Sequence, residues 1–238
     1  MWYYGLDPTM LLVLPGILLA MIASFRVQHT FSKYAAVGSR NGWTASAMAQ
    51  DMLYRAGIED VRVERVAGRL TDHFDPRERV LRLSQDVYDS GSIAALGVAA
   101  HEVGHVFQYE GSPVLRQETY GPVYLRNALV PVANIGSQAA FPLFFIGLLL
   151  SWEPLLWIGI AAFAVAVLFY LVTLPVEFNA SSRALISLEQ GGYLNYEENR
   201  GAAAVLRAAS WTYIASALTA LLQLLRLLTI AGVGRRRD

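Results

Sequence analysis

Two histidines four residues apart, His101 and His105, enclose Glu102 in the segment SIAALGVAAHEVGHVFQYEG. That spacing puts both imidazoles on one face of a helix, where they can reach a single Zn²⁺, with a carboxylate beside them to accept a proton from water. The chemistry that follows is metal-assisted hydrolysis of a peptide bond, with Glu102 taking the water proton and returning it to the leaving amine. The chain has only four histidines among 238 residues, so the pairing does not follow from abundance. The plain alternative is two ordinary histidines, buried or exposed, on a structural helix.

Two imidazoles leave zinc short of a protein ligand. No third histidine follows at the HExxHxxGxxH spacing, because Gln108 and Gly111 stand where Gly and His would be needed. His29 follows the first apolar segment, His73 lies in TDHFD, and Glu177 ends the third apolar segment. A carboxylate held at a helix terminus near the membrane surface is a suitable third ligand, against the reading of Glu177 as a solvated helix-end charge. Ser181 shares the Glu177 face if the helix continues, and either Ser181 or Asn179 could hydrogen-bond a ligand. Glu197 and Glu198 could hold a divalent ion but read as a solvated loop. His73, Tyr193, Tyr196 and Tyr213 could donate to an oxyanion, and no spacing singles one out.

The elements that must position these groups are set by an apolar composition. The chain is 55% hydrophobic and 16% charged, with a mean hydropathy of +0.37, which excludes a freely soluble enzyme. Nineteen basic against nineteen acidic residues argue against a nucleic-acid partner, and the absence of cysteine removes disulfides and thiolate metal sites. Asn127–Trp152 and Pro154–Val176 are uncharged runs of 26 and 23 residues, and residues 8–25 and 208–225 are uncharged runs of 18. The longer two exceed the roughly 20 residues a helix needs to cross a bilayer. The expected organisation is an N-terminal transmembrane anchor at 1–26 and a catalytic region with the HEVGH helix at 27–126. A transmembrane hairpin follows at 127–176, then a segment carrying the third ligand at 177–207, and a membrane helix with a basic tail at 208–238. The first segment reads as retained, since Asp7 rather than a base precedes it and no clear cleavage site follows.

Basic residues flank these segments unevenly. Arg26, Lys33 and Arg40, then Arg116 and Arg126, then Arg183, Arg200 and Arg207 lie on one side, while the turn at Trp152 and Glu153 has none. This places the catalytic region in the cytoplasm. Arg235, Arg236 and Arg237 disagree if the last segment crosses, so that segment either crosses despite them or lies in the interface. Tyr3, Tyr4, Trp152, Trp157, Trp211 and Tyr213 read as interfacial aromatics.

Within 27–126, NGWTASAMAQDMLYRAGI reads as a helix capped by Asn41 and ending near Gly57. VRVERV and RVLRLS alternate as two short strands separated by a polar loop, TDHFDPRE, with RVLRLS as a substrate-binding edge. Ser92 caps the HEVGH helix, in which Gly97 and Gly104 permit close packing.

In order, the blocks NGWTASAMAQDML with AGI, GRLTDHFDPRERVLRLS, VYDSGSIAALGVAAHEVGHVFQ, LPVEFNASSRAL and VLRAASWTYIASALTALLQLLRLL run from residue 41 to residue 228, within a likeness that covers about residues 26–228. This sequence resembles the YugP-like neutral zinc metallopeptidases of bacterial membranes. The resemblance implies an α+β, mainly helical, integral-membrane zincin-like metallopeptidase with a small β element and about four hydrophobic helices. It implies Zn²⁺ held by His101, His105 and Glu177, with Glu102 catalytic. It also implies a multi-pass protein of the bacterial inner membrane acting on peptides or protein segments near the bilayer. In similar membrane peptidases with a distal glutamate, an acidic residue often follows four positions later; Ser181 stands there instead. The competing function class is a non-proteolytic membrane scaffold or regulator that keeps the fold, or a transporter, against which the helix count and the absence of central charges in 127–176 argue.

Overall fold

All four apolar stretches enter helices, and three of those helices run well past the apolar residues that mark them. The computed structural model describes residues 8–112, 116 and 118–235; Tyr3, Tyr4, Arg236 and Arg237 lie outside the described residues. A 3₁₀ turn at Pro8–Leu12 leads into α1, Leu14–Ala35, which carries Arg26 and Lys33 in its second half. After a polar region come α5 (Gly121–Leu149), α6 (Glu153–Gln190) and α7 (Tyr196–Arg235). Among the described residues, α5, α6 and α7 are long and apolar enough to cross a membrane.

The end expected at Glu177 does not occur. Glu177 lies inside α6, so its carboxylate projects from a continuous helix rather than from a terminus. Hydropathy falls there, but Ala180, Ala184 and Leu188 are fully buried at four-residue spacing, and that stripe keeps the helix packed beyond the apolar run. The segment expected at 177–207 to carry the third ligand is therefore helical except at residues 191–195.

The chain divides into two compact units. One comprises Met1–Ser24, Tyr124–Leu174 and Trp211–Asp238. Its buried cluster takes Ala140 and Phe144 from α5, Leu156, Ile160, Phe163 and Val167 from α6, and Ala220 and Leu227 from α7. Ile135, Phe145, Leu149 and Leu168 face outward and are exposed, an apolar exterior suited to lipid.

The second unit comprises Phe25–Val123 and Pro175–Ser210. Its α2 (Ala45–Arg55) is capped by Thr44, whose hydroxyl accepts from Ala47 N at 3.3 Å, and not by Asn41. Asn41 instead donates to Gly192 O at 2.7 Å. Three strands follow, β1 (Arg62–Val66), β2 (His73–Asp75) and β3 (Val80–Ser84), in the order β1-β3-β2. β1 is parallel to β3 and β2 antiparallel, with His73 opposite Arg82. Two expectations change here. HFD is a strand within the expected loop, too short to show alternation. RVLRLS is central, so its backbone is not a free edge; Val80, Leu81 and Leu83 are fully buried.

After the short α3 (Gln85–Tyr88), α4 (Ile93–Glu110) begins at Ser92, whose hydroxyl accepts from Ala95 N at 3.2 Å. Ala94, Leu96, Ala99, Ala100, Val103 and Val106 bury α4 in the core of this unit. Gly104 lets α6 approach: a Cβ there would lie 2.4 Å from Ala180 O.

Candidate metal centre

Burial of both flanks of α4 fixes its rotation, and with it the direction of the three residues of interest. His101 and His105 stand one turn apart, their rings 4.8 Å between centroids and nearly perpendicular. Glu177 meets them from α6, with Oε2 at 3.3 Å from His101 Nε2 and 3.7 Å from His105 Nε2. The side chains are nearly enclosed, 13% exposed for each histidine and 3% for Glu177.

The donor set fits zinc. One ligand atom from each of the three residues falls within 4.8 Å of the others. Tetrahedral bonds of about 2.0–2.2 Å would place pairs of ligand atoms roughly 3.4 Å apart, close to the two N···O separations observed. Each ring turns Nδ1 outward to a polar partner: His101 to Ser181 Oγ at 3.1 Å, and His105 to Gln108 Oε1 at 3.0 Å. Both Nε2 atoms are thereby directed toward the carboxylate, as a common ion requires.

Glu102, 8% exposed, is adjacent to His101 on the same helix. Burial pushes its carboxyl above the usual range, Glu177 and Asp72 push the same way, and the two histidines oppose them. Burial pulls His105 down, yet the hydrogen bond and charge of Glu177, with help from Glu102 and Gln108, hold it above the ordinary imidazole value.

Among the described residues, His29, His73, Glu197 and Glu198 are not part of this group. His29 stacks on Phe25, and His73 is exposed with Nδ1 at 2.8 Å from Thr71 O. Glu197 pairs with Arg200 at 3.4 Å. Glu198 is buried rather than solvated, accepting from Arg40 N at 2.8 Å and Asn195 N at 2.9 Å. Tyr193 donates to Asp51 at 2.5 Å, Tyr196 is exposed, and Tyr213 belongs to the other unit. Ser181 does share the Glu177 face, and its hydroxyl meets His101 Nδ1 at 3.1 Å. Asn179 contacts Gln108 and Arg183 instead of a ligand.

Two residues at the site escape sequence reasoning. Gln108 enters the sequence argument only as a missing glycine, although its position three residues after His105 makes it a helical neighbour of that ring. Arg183 reads as a basic flank of a membrane segment, yet it is 5% exposed and donates to Asn179 Oδ1, Phe107 O and Glu118 O.

Residues 9–232 match the family described as "Putative neutral zinc metallopeptidase". The chain belongs to that family. It is also 45% identical over 217 residues to "Putative membrane protease YugP" of Bacillus subtilis (strain 168), covering 91% of this chain and 93% of that relative. No solved structure matches the chain. The family description agrees with the imidazole and carboxylate donors that α4 and α6 bring together, and the relative's name agrees with three helices apolar enough to cross a membrane.

Proposed function

We propose that the chain is a zinc-dependent membrane endopeptidase in which His101, His105 and Glu177 hold the ion and Glu102 is the general base and then the general acid. One observation carries this reading: two imidazole Nε2 atoms and a buried carboxylate oxygen converge beside a second buried carboxylate. Zinc, when bound, supplies Lewis acidity toward water and toward a scissile carbonyl. His101, His105 and Glu177 would hold the ion as three protein ligands, which would leave a further position for water or substrate.

Glu102 takes the proton of the attacking water on its carboxylate and then donates it to the leaving nitrogen. The upward push of burial suits the first half of that cycle, because a carboxylate with raised proton affinity is the stronger base toward water. Ser181 and Gln108 hold the rings against rotation. An extended peptide can add to a sheet edge, and among the described residues the edge strands are β1 and β2; β2 packs on α4 through Phe74 against Tyr109.

In this reading the protein passes several times through the bacterial inner membrane, with its site on the cytoplasmic side. Its partners are the lipid bilayer and peptides or protein segments close to it, and no nucleic acid. The basic residues Arg26, Lys33, Arg40, Arg200 and Arg207 support that orientation. The test is metal analysis of detergent-purified protein together with cleavage of an unfolded protein substrate. One zinc per chain and cleavage that disappears in Glu102→Gln are expected; metal-free protein, or cleavage that survives the substitution, overturns the assignment.

A further inference from the structure

Among the described residues, Arg183 is a buried cation whose three acceptors are an amide oxygen and two backbone carbonyls: Asn179 Oδ1 at 2.8 Å, Phe107 O at 2.6 Å and Glu118 O at 2.8 Å. A guanidinium can only donate, so the Asn179 atom that faces it must be the carbonyl oxygen. The same oxygen lies 3.1 Å from Gln108 Nε2, which also reaches Val176 O at 2.7 Å. With two oxygens in front of it, that end of Gln108 must be the amino group. Its other end, Oε1, is then fixed as an acceptor 3.0 Å from His105 Nδ1.

An amide oxygen cannot donate, so a neutral His105 must carry its proton on Nδ1 and present a bare Nε2 toward Glu177. We propose that Arg183, Asn179 and Gln108 form a hydrogen-bond relay of fixed polarity that sets the tautomer of His105 for metal binding, making all three positioning residues. The inference rests on the reading of His105 as a zinc ligand but concerns the ring itself. His101 has no such constraint: the Ser181 hydroxyl can donate or accept, so its partner allows either tautomer. The two imidazoles on α4 therefore differ, one held by a directional chain anchored on a buried cation, the other by a rotatable hydroxyl.

The relay makes a prediction that packing alone does not. Asn179→Asp keeps an acceptor between Arg183 and Gln108, so polarity is preserved. Gln108→Met keeps approximate volume but removes both the acceptor for Nδ1 and the donor for Asn179. Nitrogen NMR of the full-length, metal-free protein in detergent, with the ring neutral, reads the His105 tautomer directly, and zinc titration reads its consequence. Wild type and Asn179→Asp are expected to show the Nδ1–H form and zinc affinities within about threefold of each other. Gln108→Met is expected to show mixed tautomers and a loss of roughly 10- to 100-fold in zinc affinity. An Nε2–H ring in wild type, unchanged tautomer and affinity in Gln108→Met, or damage in Asn179→Asp equal to that in Gln108→Met overturns the relay. If the ring behaves as expected while wild type binds no zinc, the relay stands and the peptidase reading fails.

Discussion

A Cβ on Gly104 would lie 2.4 Å from the carbonyl oxygen of Ala180. These two residues therefore set how closely α4 and α6 approach, one position before His105 on one helix and three after Glu177 on the other. Backbone cannot yield as a flexible side chain can, so a methyl group at residue 104 must push the helices apart. Gly104→Ala is expected to cost about 1–3 kcal/mol of stability by overpacking and to weaken zinc binding by widening the gap between Glu177 and the histidines. Gly121→Ala, where a Cβ meets nothing within 4 Å, is the control. Zinc titration and thermal unfolding of both variants check this; wild-type zinc affinity in Gly104→Ala would detach the helix contact from the metal centre.

Glu102→Gln separates proton transfer from metal binding. The amide is nearly isosteric with the buried carboxylate but cannot take a proton from water, so zinc content should stay at wild-type level while the turnover rate falls roughly 100- to 10,000-fold. Parallel metal analysis and peptide-cleavage rates give the answer. Loss of zinc in step with loss of activity would assign Glu102 to the structure of the site instead.

Glu177→Gln tests whether the membrane helix supplies a ligand. The residue follows His105 by 72 positions, so only the return of α6 to α4 can join them. Losing a ligand should reduce zinc affinity by more than the roughly 10- to 100-fold typical of losing an outer hydrogen-bond partner. Membrane insertion should be unchanged, because the apolar run of α6 ends at Val176. Wild-type affinity in the purified variant would return Glu177 to the role of a helix charge.

What the sequence makes legible follows the range of the interactions involved. The His101–Glu102–His105 group is a matter of one helical turn, and Ser92 capping is equally local, so both can be read directly. Glu177 is visible because two histidines leave zinc short of a ligand and few other donors exist, but its place inside a continuing helix depends on Ala180, Ala184 and Leu188 finding a buried surface. β2 has three residues and exists only because β3 pairs with it, so no local pattern announces it. The bonds from Arg183 and Gln108 join residues 65 to 76 positions apart, and a polar residue beside an apolar run looks the same whether it faces water or a buried amide. Counting Arg183 as a basic flank is the error that follows.

Acid should release the metal sooner than an isolated histidine site would. Metal binding requires neutral imidazoles, and His105 is held above its ordinary value because Glu177, with Glu102 and Gln108, outweighs the downward pull of burial. A raised value means that protons compete at higher pH, so zinc affinity should begin to fall above the range near about 6.5 where an unperturbed imidazole titrates. Chelator competition across pH measures this. Affinity that stays flat down through that range would show that proton binding at His105 does not oppose the metal.

The orientation of the chain can be read without background, because it contains no cysteine and any thiol introduced is the sole target of a membrane-impermeant reagent. Tyr54 in α2 is 71% exposed and Trp152, at the turn between α5 and α6, is 54% exposed, so a thiol at either position is accessible from its own side. The orientation proposed from the basic flanks has the unit carrying the metal centre in the cytoplasm. In intact cells Tyr54→Cys should therefore be protected and Trp152→Cys labelled, and the reverse pattern would place the site outside. Gly232→Cys, near the end of α7 where a Cβ meets nothing within 4 Å, then decides the last helix. Tyr196 begins α7 just beyond the segment that carries Glu177, so α7 starts on the side of the metal centre. Labelling at residue 232 from outside requires α7 to cross despite the arginines that follow it, and protection requires it to remain at the inner surface or re-enter. The length and apolar composition of α7 favour crossing, and labelling is the expected result.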